Sequence, residues 1–141
     1  MMKSRKKQRG QAFIESALIM LIFVPVLVGI ADFGQVIYFH ASLTERARAA
    51  ARYGAVHTYT DGSAIQNVAV YNDPSPATGT AGLVPYLTTS LVTATLNDAG
   101  TDSARITVTI TNYPFNFISG FMSQSTWYKT VITTEPYEIV N

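Results

Sequence analysis

The sequence predicts an α+β protein with a long N-terminal helix and a small C-terminal antiparallel β-sheet head. Three observations predict it: an apolar run over residues 12–31, a helical pattern that continues to about residue 56, and strand-like alternation after residue 90. The length of 141 residues suits about one domain. We divide the chain into a leader at 1–10, a long helix at 11–56 and a head at 57–141.

The apolar run reads AFIESALIMLIFVPVLVGIA, and only Glu15 and Ser16 are strongly polar in it. Twenty helical residues rise about 30 Å, which matches the hydrocarbon core of a bilayer. The alternative is a buried helix of a soluble domain, but a head this small could hardly surround it. The run therefore predicts a membrane-spanning helix over about residues 12–31.

A cluster of positive charge precedes the run. The remainder of the chain, residues 11–141, carries five basic against nine acidic residues, a formal charge of −4. The positive-inside rule keeps the cluster in the cytoplasm and predicts that the residues after about 32 are exported. A secretory signal peptide has a similar order, but this apolar run is longer and no clear cleavage site follows it, so we expect the helix to be retained. The cluster consists of Lys3, Arg5, Lys6, Lys7 and Arg9.

Glu15 lies near the edge of the apolar run, where an acid is costly unless it finds a partner. This makes Glu15 a candidate functional residue; the alternative is that its side chain reaches the interface and is solvated. Gly10 precedes it, and because glycine lacks a Cβ its backbone can extend closely into a protease cleft. The alternative for Gly10 is a simple linker.

The stretch Arg9-Gly10-Gln11-Ala12-Phe13-Ile14-Glu15 resembles the processing site of type IV prepilins. The resemblance implies that a membrane prepilin peptidase removes the leader by cutting between Gly10 and Gln11. It also implies that Glu15, then the fifth residue of the mature chain, neutralises the N-terminal ammonium of a neighbouring subunit. That pairing would fix the axial register of subunits as they enter a fibre.

The longer stretch over residues 9–56 is similar to the TadE-like pseudopilins, which are minor pilins of the tight-adherence (Tad or Flp) pilus. The resemblance implies a type IV pilin-like α+β fold and a role in assembling a type IVc pilus used in adhesion. Gln11 stands where many type IV pilins have phenylalanine, a departure that fits the Tad branch. The matching motif residues after the cleavage site are Pro25, Asp32, Phe33, Gly34, Arg46, Ala50, Arg52 and Gly54.

The resemblance further implies a single-pass protein of the bacterial inner membrane, with a cytoplasmic N-terminus and an exported head, that later joins the pilus at the cell surface. The expected partners are the prepilin peptidase, other pilin and pseudopilin subunits, the inner-membrane assembly platform and membrane lipid. Two alternatives stay open: a permanently anchored envelope binding module, and the major pilus subunit itself. Major Flp-type pilins are typically much shorter than this chain, which favours a minor role.

Beyond the membrane span, a narrow seam of residues continues along one helix face at steps of four and three. Its later members are small, which lets another helix approach closely. The seam consists of Val36, His40, Leu43, Ala47, Ala50 and Gly54.

Pro25 removes a backbone hydrogen bond and predicts a kink or a local loosening of the helix. It either aids extraction from lipid or is simply tolerated.

Arg46, Arg48 and Arg52 predict a solvated charged face, and contact with a partner subunit is the alternative.

The head is predicted to begin with a short helix. Ser63 and Gln66 have the spacing of a capping box and predict a helix through about Tyr71. The segment 72–82 is rich in asparagine, aspartate, proline and glycine, and predicts a loop.

The end of the chain predicts three antiparallel strands that pack on the second half of the long helix. An apolar loop over 113–125 predicts cover for the sheet edge, and an exposed subunit contact is the alternative. The strands are predicted at 91–97, 105–111 and 127–134, with a hairpin loop at 98–102.

No catalytic constellation is recognisable. His40 and His57 are the only histidines, neither has a local metal-ligand spacing, and cysteine is absent. The basic cluster is explained by its place before a membrane span rather than by nucleic-acid binding. We therefore expect a protein that is not an enzyme, without cofactor or metal and without a nucleic-acid partner.

Overall fold

The computed structural model describes residues 5–115, 117, 119 and 130–138. It confirms an α+β fold, in which one long N-terminal helix is followed by a small three-stranded antiparallel sheet. In chain order the elements are α1 (Arg5–Val56), α2 (Ser63–Tyr71), a 3₁₀ turn (Thr89–Leu91), β1 (Val92–Asn97), β2 (Arg105–Ile110) and β3 (Val131–Pro136).

Helix α1 is continuous over 52 residues and begins at Arg5, earlier than the predicted start at residue 11. Lysine, arginine and glutamine are good helix formers, so the leader extends the helix rather than ending it. Pro25 lies inside α1 and does not interrupt it. At about 1.5 Å per residue, α1 is about 78 Å long. We call residues 12–31 its lower half and residues 32–56 its upper half.

The sheet has the order β1-β2-β3, with β2 in the centre. Ile106, Val108 and Ile110 are completely buried, so the alternation predicted for β2 is confirmed. Thr107, which alternates with them, has its Oγ1 within 3.2 Å of Thr134 Oγ1 on β3. The sheet therefore turns one β-branched apolar face toward α1 and lines its other face with threonine.

The strand ends differ slightly from the prediction. β3 runs over Val131–Pro136 instead of 127–134, because its pairing with β2 extends from Val131 opposite Ile110 to Pro136 opposite Arg105. Residue 130 lies outside the strand, and the predicted strand residues 127–129 lie outside the described residues. β1 begins one residue late, since Leu91 belongs to the 3₁₀ turn.

Helix α2 confirms the predicted short helix, but the predicted capping box is wrong. Gly62 is the N-cap, in a left-handed conformation with φ of 78°, and no side chain caps it. Ser63 is the first helical residue, and its N–H and hydroxyl both donate to Asp61 Oδ1. Gln66 Nε2 donates instead to the Val92 carbonyl of β1. The capping box therefore does not form: Gly62 takes the N-cap position, and the Gln66 side chain connects α2 to β1 instead.

The hydrophobic core lies between the upper half of α1, α2 and the inner face of the sheet. The residues after β3 return to the end of α1, where the Glu138 N–H donates to the Ala55 carbonyl at 2.9 Å. Buried core residues include Leu43, Ala47, Ala50, Ala51, Ile65, Val68, Ala69, Val70, Val92, Ala94, Ile106, Val108, Ile110, Tyr113, Phe115 and Val131.

Candidate functional site

The lower half of α1 is an apolar helix surface that the described head does not cover. Phe13 is 77% exposed and Ile22 is 70% exposed. α1 contains the one candidate span among the described residues, and no residue of its most apolar window is buried. An apolar surface of this length needs lipid or other helices around it. α1 is therefore long and apolar enough to cross a membrane.

Gly10, Gln11 and Glu15 lie at the start of this surface and are exposed. A Cβ placed on Gly10 would meet nothing within 4 Å. The Gly10–Gln11 bond lies inside α1, so a protease would have to unwind the helix locally. Glycine lowers the cost of unwinding by about 1 kcal/mol relative to alanine. The three residues are accessible, and their predicted roles in cleavage and pairing remain predictions.

The predicted seam on the upper half of α1 faces the head of its own chain. Leu43, Ala47, Ala50 and Gly54 are buried, whereas Val36 and His40 are partly buried. The small members allow close approach. A Cβ on Gly54 would lie 2.6 Å from Ile65 Cδ1 of α2 and 3.0 Å from Ile106 Cγ2 of β2. The seam thus holds α2 and the sheet against α1.

Three motif residues follow the lower half of α1 and have different surroundings. Asp32 is 8% exposed, and the Ser119 N–H donates to its two carboxylate oxygens at 3.4 and 3.3 Å. Phe33 is 68% exposed, and a Cβ on Gly34 would meet nothing within 4 Å. The acid therefore points toward the head, whereas Phe33 is left on the outside.

Of the three arginines on the upper half of α1, one contacts the head and two are exposed. Arg46 Nη1 donates to Asn72 Oδ1 at 3.2 Å, which connects α1 to the C-terminal cap of α2. Arg48 and Arg52 are exposed, in agreement with a solvated charged face. Arg46 thus has a structural contact within the chain, whereas Arg48 and Arg52 face outward.

Below β2, the chain returns along α1 as an aromatic segment. Tyr113 and Phe115 are buried, and their rings lie 5.9 and 6.4 Å from the Phe39 ring. The Tyr113 hydroxyl donates to the Pro85 carbonyl at 2.7 Å, and burial raises the pKa of Tyr113 to about 12. These two residues of the predicted apolar loop cover the core. Ile118, Phe121 and Met122 of that loop lie outside the described residues.

Sequence reasoning missed the Asp32–Ser119 contact. The available signal was an acid placed directly after an apolar run. Its partner is far along the chain and donates through the backbone, so no side-chain type identified it.

A second candidate site is a shallow cleft at the end of α1 that is farthest from the lower half. Its lining includes Tyr53, His57, Tyr59 and Asp61. The His57 ring stacks on Tyr53 with centroids 3.9 Å apart. Hydrogen bonds from Ser63 lower the pKa of Asp61. Within the described part of the chain, no group of three or more metal-ligating side chains is present.

Residues 10–52 match the sequence model of the family described as TadE-like protein. The match confirms the resemblance predicted from the motif residues. It covers the lower half of α1 and most of the upper half, and it ends before the head. No curated protein and no solved structure matches the chain.

Proposed function

We propose that this protein is a minor pseudopilin of a Tad-type pilus. In this proposal a prepilin peptidase cuts at Gly10–Gln11, α1 anchors the mature protein in the inner membrane, and the protein then joins or primes the fibre. Its partners are the peptidase, other pilin and pseudopilin subunits, the assembly platform and lipid. Its activity is assembly for adhesion, without catalysis.

One observation carries the proposal. The TadE-like match over residues 10–52 coincides with α1, and the lower half of α1 is an apolar surface that no described part of the chain covers. Such a surface can be covered first by lipid and then by neighbouring helices. A subunit that passes from membrane to fibre needs this property.

The seam supports different roles for different surfaces of α1, one for packing within the chain and another for contacts between subunits. Because Leu43, Ala47 and Gly54 pack against α2 and the sheet of the same chain, they are not available to another subunit. Contacts between subunits would therefore fall to the lower half and to the outward face that carries Phe33. The head would remain attached to α1 throughout assembly.

The position of Glu15 near the start of the apolar run supports its proposed role as the register residue. Cleavage would create an α-ammonium at Gln11, four residues before Glu15 and on the same helix face. Both residues are exposed, so either can reach a neighbouring subunit. An unpaired charge in an apolar fibre interior is penalised by several kcal/mol, which would select the register in which both charges are paired.

The test is the N-terminal sequence of the protein in cells with and without the prepilin peptidase. We expect a chain that begins at Gln11 when the peptidase is present and an unprocessed chain when it is absent. An intact Met1 in the presence of the peptidase, or a cut beyond residue 30, would contradict the proposal.

A matched pair of glycine variants makes the test specific. Both Gly10 and Gly29 are exposed, and a Cβ on either meets nothing within 4 Å. Gly10→Leu should therefore leave the fold intact and block processing, whereas Gly29→Leu should be processed normally. Equal processing of the two variants would rule out Gly10 as the recognised residue.

The cleft at Tyr53, His57 and Asp61 favours one alternative, a permanently anchored envelope binding module. That function requires no processing and does not depend on Glu15. The other alternative, the major subunit, requires that the protein be abundant in sheared fibres. N-terminal sequencing of cells and of sheared fibres separates the three functions.

A further inference from the structure

Asp32 is a buried acid directly after the apolar run, at the level where α1 would leave the lipid. It is 8% exposed, and its carboxylate oxygens accept a hydrogen bond from the Ser119 backbone. An acid near hydrocarbon is costly unless it is hydrogen-bonded and shielded. The Ser119 N–H provides the hydrogen bond, and the backbone at Ser119 lies directly against the carboxylate.

The chain reaches Asp32 by descending along α1. We call the described residues Tyr113, Phe115, Phe117 and Ser119 the arm. Tyr113 and Phe115 pack against Phe39, and Ser119 contacts Asp32 seven residues earlier on the helix. Seven helical residues correspond to about 10 Å along the axis. The arm therefore brings part of the head about 10 Å closer to the membrane segment than Phe39.

The outward face of α1 stays apolar over the same height. Phe33 is 68%, Ile37 is 54% and Tyr38 is 67% exposed. The next residues that face outward are Ala41 and then the charged Glu45, Arg48 and Arg52. Exposed apolar surface is thus continuous from the lower half of α1 to Tyr38, where an aromatic ring with a polar tip ends it.

The dimensions of a bilayer agree with this boundary. The span predicted at about residues 12–31 moves outward by four residues when charged Glu15 is kept at its inner edge, because an acid is costly in hydrocarbon. About 20 helical residues then carry the hydrocarbon core to about residue 35. Asp32 then lies at the outer edge of the core. Tyr38 lies a few ångströms farther out, in the headgroup layer, where tyrosine is enriched in membrane proteins.

We infer that the head is partly embedded in the outer surface of the membrane, with Tyr38 and the arm in the phospholipid headgroup layer. Asp32 is the positioning residue, because it holds the arm at that depth. The inference rests on the membrane anchoring in the proposed function and extends it to the head. The partner is a phospholipid surface, since the apolar face of Phe33, Ile37 and Tyr38 continues that of the membrane segment.

The absence of cysteine allows a direct depth measurement. Single-cysteine variants of the full chain carry an environment-sensitive fluorophore and are reconstituted at low density into phosphatidylcholine–phosphatidylglycerol vesicles. Nitroxide-labelled lipids quench from the membrane, and iodide quenches from water. The test positions are Tyr38→Cys and Ser119→Cys; the latter keeps the backbone N–H that binds Asp32.

Two further positions calibrate the depth. Ile22→Cys reports the middle of the apolar run, and Val56→Cys reports the far end of α1, where the side chain is 55% exposed. We expect the Ile22 label to be quenched only from the lipid and the Val56 label only by iodide. Labels at Tyr38 and Ser119 should show blue-shifted emission and strong quenching by nitroxides placed near the headgroups.

The quenching results test the membrane anchoring and the embedded head separately. If the Ile22 label is quenched by iodide, the membrane anchoring itself fails. If Ile22 is embedded but Tyr38 and Ser119 behave like Val56, the anchoring stands and the embedded head is overturned. Blue-shifted emission that appears only at high protein density would indicate contact between subunits and would also overturn the lipid assignment.

The role of Asp32 has its own readout in the same vesicles. In an Asp32→Ala background the Ser119 label should become accessible to iodide, while the Tyr38 label stays quenched by lipid nitroxides. Asp32→Asn keeps an acceptor oxygen and should leave the Ser119 label at its original depth. An unchanged Ser119 label in Asp32→Ala would overturn the positioning role.

Discussion

Gly54 of α1 lies directly under Ile65 of α2, so close that a Cβ on Gly54 would stand 2.6 Å from Ile65 Cδ1. Ile106 of the central strand lies on the same spot, with its Cγ2 3.0 Å from that Cβ position. One glycine therefore sets the distance between α1 and both other layers of the head.

Gly54→Ala should destabilise the head. Overpacking a buried site costs about 1–3 kcal/mol, and alanine recovers about 1 kcal/mol of helix propensity. We expect a net loss of roughly 1 kcal/mol, because Ile65 and Ile106 are both buried and must shift. Thermal unfolding in detergent, followed by near-ultraviolet circular dichroism, measures it.

The matched control for that variant is Gly34→Ala on the same helix. A Cβ on Gly34 meets nothing within 4 Å, so only the propensity gain applies. Gly34→Ala should be as stable as the parent or slightly more stable. If both variants unfold at the same temperature, close packing at Gly54 is refuted.

Gly62→Ala should also destabilise the head, for two reasons that can be separated. Gly62 has φ of +78°, and its Cβ would lie 3.0 Å from the Ala94 carbonyl oxygen. Gly79 has φ of +88° with nothing within 4 Å. A residue with a Cβ in the left-handed region costs about 1 kcal/mol or more. Urea unfolding should therefore show a modest loss for Gly79→Ala and a larger loss for Gly62→Ala, and the reverse order would contradict the crowding at Ala94.

Tyr113 predicts an alkaline loss of stability. Burial raises its pKa to about 12 from the ordinary value of 10.0, so the folded protein holds this proton more tightly than the unfolded chain. Below pH 10 the phenol is neutral in both states and its contribution is complete. Between about pH 10 and 12 only the unfolded chain releases the proton, so the free energy of unfolding falls as pH rises.

Tyr113→Phe should remove this part of the pH dependence. It also loses the hydrogen bond to the Pro85 carbonyl, which costs about 1 kcal/mol at neutral pH. Unfolding curves at pH 8 and pH 11 provide the comparison, with Tyr38→Phe as the exposed control. A parent and a Tyr113→Phe protein with identical alkaline slopes would argue against the raised pKa.

Glu15→Ala should reduce the number of pili if the proposed pairing with the mature N-terminus operates. The matched control is Glu45→Ala, which removes an exposed acid from the upper half of the same helix. Pilus counts by electron microscopy, together with the amount of protein in the membrane, separate an assembly defect from loss of the protein. Normal pili in the Glu15→Ala strain would remove the role assigned to that residue.

The sequence predicts the structure well where the periodic spacing of apolar residues determines which side chains are buried. The alternation over residues 105–111 predicted that Ile106, Val108 and Ile110 would be buried, because a strand has a period of two. It failed at Ser63, where the capping box competed with a left-handed Gly62 and with a partner on another element, the Val92 carbonyl. Local spacing contains no information about such a partner.

At the candidate site, too, local spacing in the sequence does not identify partners that are distant along the chain. The spacing of small residues predicted the seam on α1, whereas only the fold shows that α2 and the sheet of the same chain occupy it. Asp32 was recognised as a motif residue from the resemblance to the TadE-like pseudopilins. Its hydrogen bond to the Ser119 backbone depends on the path of the arm, which no periodicity describes.

The bond between the Glu138 N–H and the Ala55 carbonyl has a consequence for biosynthesis. It joins the end of α1 to a residue two positions after β3, so the loop that must close spans residues 55–138. Long-range closure of this kind is slow relative to local helix formation. The head therefore makes this contact only after residue 138 has been translated and, in the proposed orientation, translocated. Until β3 has been added, the part of α1 against which it packs stays uncovered, and a chaperone would bind there.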